Sequence, residues 1–380
     1  MEPQIAFHKP KKDQCSKCIR FDETVDPSDA VKTAYNLHKQ REKTSLALKE
    51  ADMKCSDPSQ RTITYDLEAT LYLPQCPDNL LYYKRKFNVY NFTIYDSTKE
   101  GLCYVYDEVN GHKGCCEIAT CILKYLRSLP DAIHTVNTWS DTCAAQNRNH
   151  ILLAALIFAV NSIPHLQQVN TKFLESGHTY LECDSMHSRI EARKKDRKIY
   201  TPDQIVPIIE DARCDPRPYR AEQLIFSDFF DMKELAKRTV KNYTIDSESA
   251  PVRWLQIKWM QINEKSDVVR FKYDYEGDFH EFNFRQKPLK RPRRCTAMTT
   301  AEIGLLQLQK VHSARLPISM AKKNDLLSLI RDGVIRPAYE AFYANLPADP
   351  KIKDTTDVIE VFDEDDPELL GLYNKIVEAH

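Results

Sequence analysis

RTITYDLEATLY (residues 61–72) decides how the rest of the chain is read. Ile63, Tyr65, Leu67 and Ala69 alternate with Thr62, Thr64, Asp66 and Glu68, the period-2 pattern of a strand with two different faces. Aspartate is disfavoured inside a strand. Asp66 is therefore either a metal ligand or a surface-facing edge residue.

Downstream of this strand the pattern repeats. KFNVYNFTIY (86–95) and LCYVYDEV (102–109) are rich in β-branched and aromatic residues and read as two further strands of a meander. Residues 115–129 read as a helix ended by Pro130, with Ile118, Ile122, Leu123 and Leu126 near helical spacing. A fourth strand follows at 133–139, an apolar helix at 149–162, a short fifth strand at 168–174 and a basic helix at 184–198. Upstream, residues 28–52 read as a charged helix capped by Asp26 or Ser28, a surface or coiled-coil arm. Downstream, 251–284 read as β with a hairpin turn at Glu276-Gly277, and 301–346 as two or three helical segments around Pro317 and Pro337.

Composition narrows the classes. Hydrophobic residues make up 42%, as in globular chains. Only 8 glycines occur, and neither GxxxxGK[ST] nor GxGxxG is present, which argues against a glycine-rich nucleotide loop. The longest apolar run, Ile151–Val160, is far short of the roughly 20 residues of a membrane span. Met1 to Lys12 is polar and basic, unlike a secretory signal. The 12 cysteines then imply a reducing compartment and thiols or metal ligands rather than disulfides. The formal charge is −1, but six basic residues fall in 189–198 and six in 285–294, while 349–380 holds ten acids against three lysines. Each run reads either as a solvated face or, for the basic ones, as phosphate contacts.

The order β-β-β-α-β-α-β-α is that of an RNase H-like mixed α/β sheet, here with an N-terminal helical arm and a C-terminal β-hairpin and helical region. In such a sheet the first and fourth strands are neighbours, so Asp66 and Asp141, just past the fourth strand, are expected to meet. Glu117 lies early on the first helix after the meander. Asp184 opens the last helix, and Glu191 lies two turns on, on the same face. Phosphodiester chemistry with two Mg²⁺ or Mn²⁺ ions needs such converging oxygen ligands. Alone, Asp141 and Asp184 read equally as turn or helix caps.

YDLEATLYLP (65–74), YKRKFNVYNFTIYD (83–96), CCEIATCILKYL (115–126), WSDTCAAQNRN (139–149) and FLESGHTYLECDSMHSRIE (173–191) resemble a group of uncharacterised, transposon-derived proteins common in animal genomes. The likeness spans roughly 8–345, from KPKKDQCSKC to AFYANL, and is dense between 61 and 195. That group carries an RNase H-like, DDE-type transposase domain. The resemblance implies an acidic triad of Asp66, Asp141 and either Asp184 or Glu191, with Glu117 at a further acidic position. Gln146 and Asn147 match a GQN-like stretch in which Ala145 stands where glycine is usual. It also implies DNA as the partner, and a homo-oligomer, since transposases act as multimers.

Cys15-x₂-Cys18 is half of a zinc site, with His8, His38 and Cys55 as candidates to complete it; free thiols or a site shared between chains are the alternatives. His178 and His187 flank Asp184, as proton shuttle or as structural groups. Cys115, Cys116 and Cys121 read as core. Trp254 and Trp259 read as packing of a hairpin before base stacking. Arg189, Arg193, Lys194, Lys195 and Lys198 are candidate backbone contacts, as are Lys290, Arg291, Arg293 and Arg294 in KPLKRPRR (287–294), which also resembles a nuclear-import signal.

The expected organisation is a Cys-x₂-Cys segment and charged helix (1–57), a catalytic domain (58–230), a β-rich region with a basic linker (231–295), a helical region (296–348) and an acidic tail (349–380). The expected activity is metal-dependent cleavage or strand transfer on nucleic acid in the nucleus. The rival is a domesticated, catalytically inactive binding module with the same fold. A zinc-assembled oligomeric scaffold is the third reading.

Overall fold

A computed structural model describes residues 15–288 and 297–353. His8, Lys290, Arg291, Arg293, Arg294 and most of the acidic tail lie outside the described residues.

Two helices come first, α1 (Ser16–Glu23) and α2 (Asp29–Met53), the second capped by the Ser28 side chain. Then follow β1 (Gln60–Leu67), β2 (Leu71–Leu73), β3 (Phe87–Asp96), β4 (Gly101–Asp107), α3 (Cys115–Arg127), β5 (Thr135–Ser140), α4 (His150–Ser162), β6 (Gln168–Phe173) and α5 (Glu182–Lys194). The expected first strand is split: it ends at Leu67, and only Leu71–Leu73 rejoins β3. The chain continues with α6 (Ile205–Glu210), β7 (Arg220–Gln223), α7 (Met232–Thr239), β8 (Trp259–Asn263), β9 (Val268–Lys272), β10 (His280–Asn283), α8 (Thr300–Gly304) and α9 (Met320–Arg331). Residues 305–317, expected to be helical, carry no helix.

The strands make one mixed sheet in the order β10-β9-β8-β6-β5-β1-β3-β4-β7, with β2 alongside β3. β1 runs antiparallel to β3 and parallel to β5, and β5 runs parallel to β6. The β-rich stretch after residue 251 adds to this sheet, because β8 pairs antiparallel with β6. Its residues and those of β1 share one apolar core.

Period-2 alternation sorts each strand between two faces. Ile63, Tyr65, Phe92, Ile94, Tyr104 and Tyr106 pack beneath α3, α4 and α7. Val89, Cys103 and Val105 pack on the other face with Met186 and Ile190 of α5 and Ile205 of α6. A helix apolar all round must be covered all round. α4 meets this condition: Ile151 through Val160 are all buried, against α3, α7, α8 and the sheet. Cys115, Cys116 and Cys121 are buried core, and Trp254 is buried with its Nε1–H donated to Tyr243 O, closed to a stacking base.

The arm α2 does not stand free. Its docking face is mixed: Leu46 and Leu48 pack against the cluster of Trp139, Leu174 and Leu181, His38, Ser45 and Lys49 are buried, and Leu37 is exposed. Lys49 Nζ donates to Tyr180 O (2.7 Å) and pairs with Glu182, while Asp52 Oδ2 accepts from Trp139 Nε1 (2.8 Å) and Lys172 Nζ (2.6 Å).

Candidate functional site

The parallel ladder between β1 and β5 pairs Thr64 with Trp139. The ladder stops at that pair; beyond it the charge of Asp141 still acts on Asp66, although Asp141 is not among the groups whose ligand atoms gather there. Asp66 Oδ1 accepts from the Leu67 N–H (2.8 Å). Asp141 Oδ1 is held by the Cys143 N–H (3.1 Å) and the Asn147 amide, so the loop after β5 is built around this carboxylate.

Because Ile63 and Tyr65 face α3 and α4, Thr64 and Asp66 face α5. α5 seats Cys183, Met186 and Ile190 on the sheet, and its first two turns bring Asp184 and His187 to Asp66. Ligand atoms of Asp66, Asp184 and His187 all lie within 4.8 Å of one another. Asp184 Oδ2 accepts from the Leu181 N–H (2.9 Å), a cap that also fixes its carboxylate.

The hydrogen bonds set the tautomer of His187. Thr93 has one hydroxyl proton and donates it to Asp66 O (3.1 Å). The 2.8 Å contact between Thr93 Oγ1 and His187 Nε2 must then be a donation by the imidazole. Nδ1 is left bare, 4.0 Å from Asp66 Oδ2. Burial pushes the His187 pKa down to about 4, so the ring is neutral and Nδ1 carries a lone pair that could serve a metal.

Burial, then the charges of Asp141 and Asp184, raise Asp66 well above the usual carboxylate range. Three acids this close cannot all ionise cheaply unless a cation sits among them. Carboxylate oxygens suit Mg²⁺ and Mn²⁺, and the imidazole nitrogen tilts the set toward a transition ion. The donor chemistry fits a divalent metal.

Two expected acids are elsewhere. Glu117 is on α3, across the sheet from Asp66; it accepts from the His112 N–H (3.0 Å) and contacts His312 Nε2 (3.1 Å). Glu191 shares a stripe with Asp184, but seven residues carry it about 10 Å along the axis. There it pairs with Lys194 (2.6 Å) and adds to the charge around Glu68. Lys194 is itself buried against the sheet face, which corrects its reading as a phosphate contact. Arg193 is exposed but shares Asp211 with Arg197 (3.1 and 3.2 Å). Arg189, Lys195 and Lys198 are exposed.

A second cluster gathers Cys15, Cys18, His38 and His178, again with ligand atoms within 4.8 Å. Of the partners considered for the cysteines, His38 is there and Cys55 is exposed away from it. His178 was not among them; 160 residues separate it from Cys18, so local spacing carries no sign of it. His187 at the first cluster was legible only as a neighbour of Asp184.

The molecule is thus a mixed α/β protein with an acid-and-histidine cluster where its central parallel strands meet a helix start. A family model described as a domain of unknown function (DUF7869) matches residues 99–280. That span holds Asp141, Asp184 and His187, while β1 with Asp66 lies outside it although β1 sits mid-sheet. No curated protein and no solved structure matches the chain.

Proposed function

We propose that this chain is an RNase H-like, transposase-type protein that cleaves or transfers nucleic-acid phosphodiesters with divalent metal ions. One observation carries the reading: α5 brings Asp184 and a neutral, correctly tautomeric His187 to Asp66, with the charge of Asp141 close enough to act on the same carboxyl. The element order and the transposon-type sequence resemblance support it.

Divalent ions bound there supply Lewis-acid stabilisation of charge developing on the phosphodiester oxygens. Asp66 and Asp141 are the paired anchors, each held by a backbone N–H. Asp184 closes the site from the helix, and His187 Nδ1 adds a nitrogen donor. The exposed cations of the same helical stretch, Arg189, Lys195 and Lys198, offer backbone contacts for nucleic acid, DNA by the resemblance.

The rival reading is a binding module that has lost catalysis. It is favoured by the engagement of Glu117 with His312 and of Glu191 with Lys194, which leaves fewer acids than expected at the site. Cleavage of labelled duplex and single-stranded DNA with Mn²⁺ separates the two. Asp66→Asn and Asp141→Asn are expected to lower cleavage at least 100-fold while salt-sensitive DNA binding persists. Binding without turnover in the unaltered protein would establish the rival.

A further inference from the structure

Two cysteines from the N-terminal segment and two histidines 140 residues apart converge without any role in the carboxylate site. Cys15 Sγ is 3.2 Å from His38 Nε2, Cys18 Sγ is 3.3 Å from His178 Nε2, and the two Nε2 atoms are 3.1 Å apart. A zinc ion with Zn–N of about 2.0 Å and Zn–S of about 2.3 Å has tetrahedral edges of about 3.3 Å (N–N) and 3.5 Å (N–S). The observed edges are within a few tenths of an ångström of these.

The surroundings orient both rings. His38 Nδ1 is 3.0 Å from Glu175 Oε1, and Glu175 is braced by Lys258 Nζ at 3.0 Å. His178 Nδ1 is 3.0 Å from Glu42 Oε1, somewhat off the line of an ideal hydrogen bond. Carboxylates behind Nδ1 keep the proton there and turn the Nε2 lone pairs inward, the usual support for a zinc-bound imidazole. With both ring protons on Nδ1, the two Nε2 lone pairs 3.1 Å apart repel each other unless a cation lies between them.

The backbone is shaped to the same end. Gly177 has φ +77°, and a Cβ there would stand 2.8 Å from Cys15 Sγ and 3.0 Å from Cys15 Cα. Only glycine lets the loop turn this close to the cysteine and present His178. α1 has eight residues, none buried. So short a helix does not hold itself; it is tied down by the cysteines at its start and by Phe21 stacked on Tyr35 of α2 (centroids 3.8 Å).

We propose that Cys15, Cys18, His38 and His178 bind one Zn²⁺ as a closed structural site that clasps α1 and α2 to the loop leading into α5. Four protein ligands leave no open position, and three of them are buried, which makes the site structural rather than catalytic. The inference does not rest on the carboxylate site being active.

The test uses the full chain, purified from zinc-supplemented culture and analysed for metal, then stripped and titrated with Co²⁺. The expected result is one zinc per chain and, with Co²⁺, the intense visible bands of a tetrahedral ion plus a thiolate-to-cobalt charge-transfer band. Asp66→Asn with Asp184→Asn should keep both signals, since neither residue is a thiolate. Cys18→Ala and His178→Ala should lose them and expose α1 to protease. A metal-free chain whose unaltered form shows no charge-transfer band with Co²⁺ would overturn the proposal, whatever the variants' folding.

Discussion

Glu68 shows what a single side chain can do two residues from the Asp66 cluster. It is buried, and its Oε2 accepts from Asn91 Nδ2 (2.8 Å), while Glu68 Oε1 and Asn91 Oδ1 are both buried without a hydrogen-bond partner. A proton on the carboxyl would give that pair a donor it lacks. Burial, with the Glu191 charge adding, pushes the Glu68 pKa up from 4.5 to about 7. The folded protein therefore keeps a proton that the unfolded chain has lost between those two values. Stability from this group is fully present below pH 4.5 and falls as pH rises through about 7, by roughly 3 kcal/mol. Glu68→Gln should flatten the fall in urea-unfolding free energy over that window. An unchanged slope in the variant would reject the assignment. In the sequence Glu68 was a polar strand residue like its neighbours, because alternation says which face a residue takes but not whether a helix covers that face.

At the scale of elements, boundaries followed local chemistry. Asn149 caps α4 by accepting from Ile151 N (3.1 Å) and Leu152 N (2.8 Å), and the apolar run after it is the helix expected. α2 shows the reverse. Its charged residues hid a docking stripe, since periodicity arguments count apolar positions and this stripe works through Glu42, Lys49 and Asp52. α8 depends on one glycine. A Cβ on Gly304 would stand 2.1 Å from Asn161 O, backbone against which α4 cannot yield. Gly304→Ala should push α8 off α4, costing about 2–3 kcal/mol in chemical denaturation; a cost under about 0.5 kcal/mol would mean that α8 is not seated there. The cations around the end of α5 divide: Lys194 is buried on Glu191, whereas Lys195 and Lys198, past the helix, are exposed. Lys194→Ala should lower stability and leave the salt dependence of DNA binding unchanged.

Over the whole molecule the formal charge of −1 gives no general attraction for nucleic acid, so binding must come from local cations. If Lys195 and Lys198 each contact a phosphate, Lys195→Ala with Lys198→Ala should reduce the slope of log affinity against log salt by about 1.8 on duplex DNA. The same slope in both proteins would move the interface away from α5. The sheet is also larger than the expected catalytic domain: β8, β9 and β10 extend it beyond β6. β8 reaches its place because its apolar residues Met260 and Ile262 face the core built by α4.

Local pattern alone determined the order of strands and helices from 60 to 194 apart from the break between β1 and β2, the strand position of Asp66 and the half-site Cys15-x₂-Cys18, since each depends on residues a few positions apart. Tertiary structure decided the rest. It chose Asp184 over Glu191 as the neighbour of Asp66, because a helix's tilt and rise over a sheet, not its periodicity, say which turn lies over which strand. It set Glu117 on the opposite face, where the sheet separates it from the other acids. It brought His178 to Cys18 across 160 residues. Convergence over such separations is fixed by chain topology and burial, for which no local spacing stands as a sign.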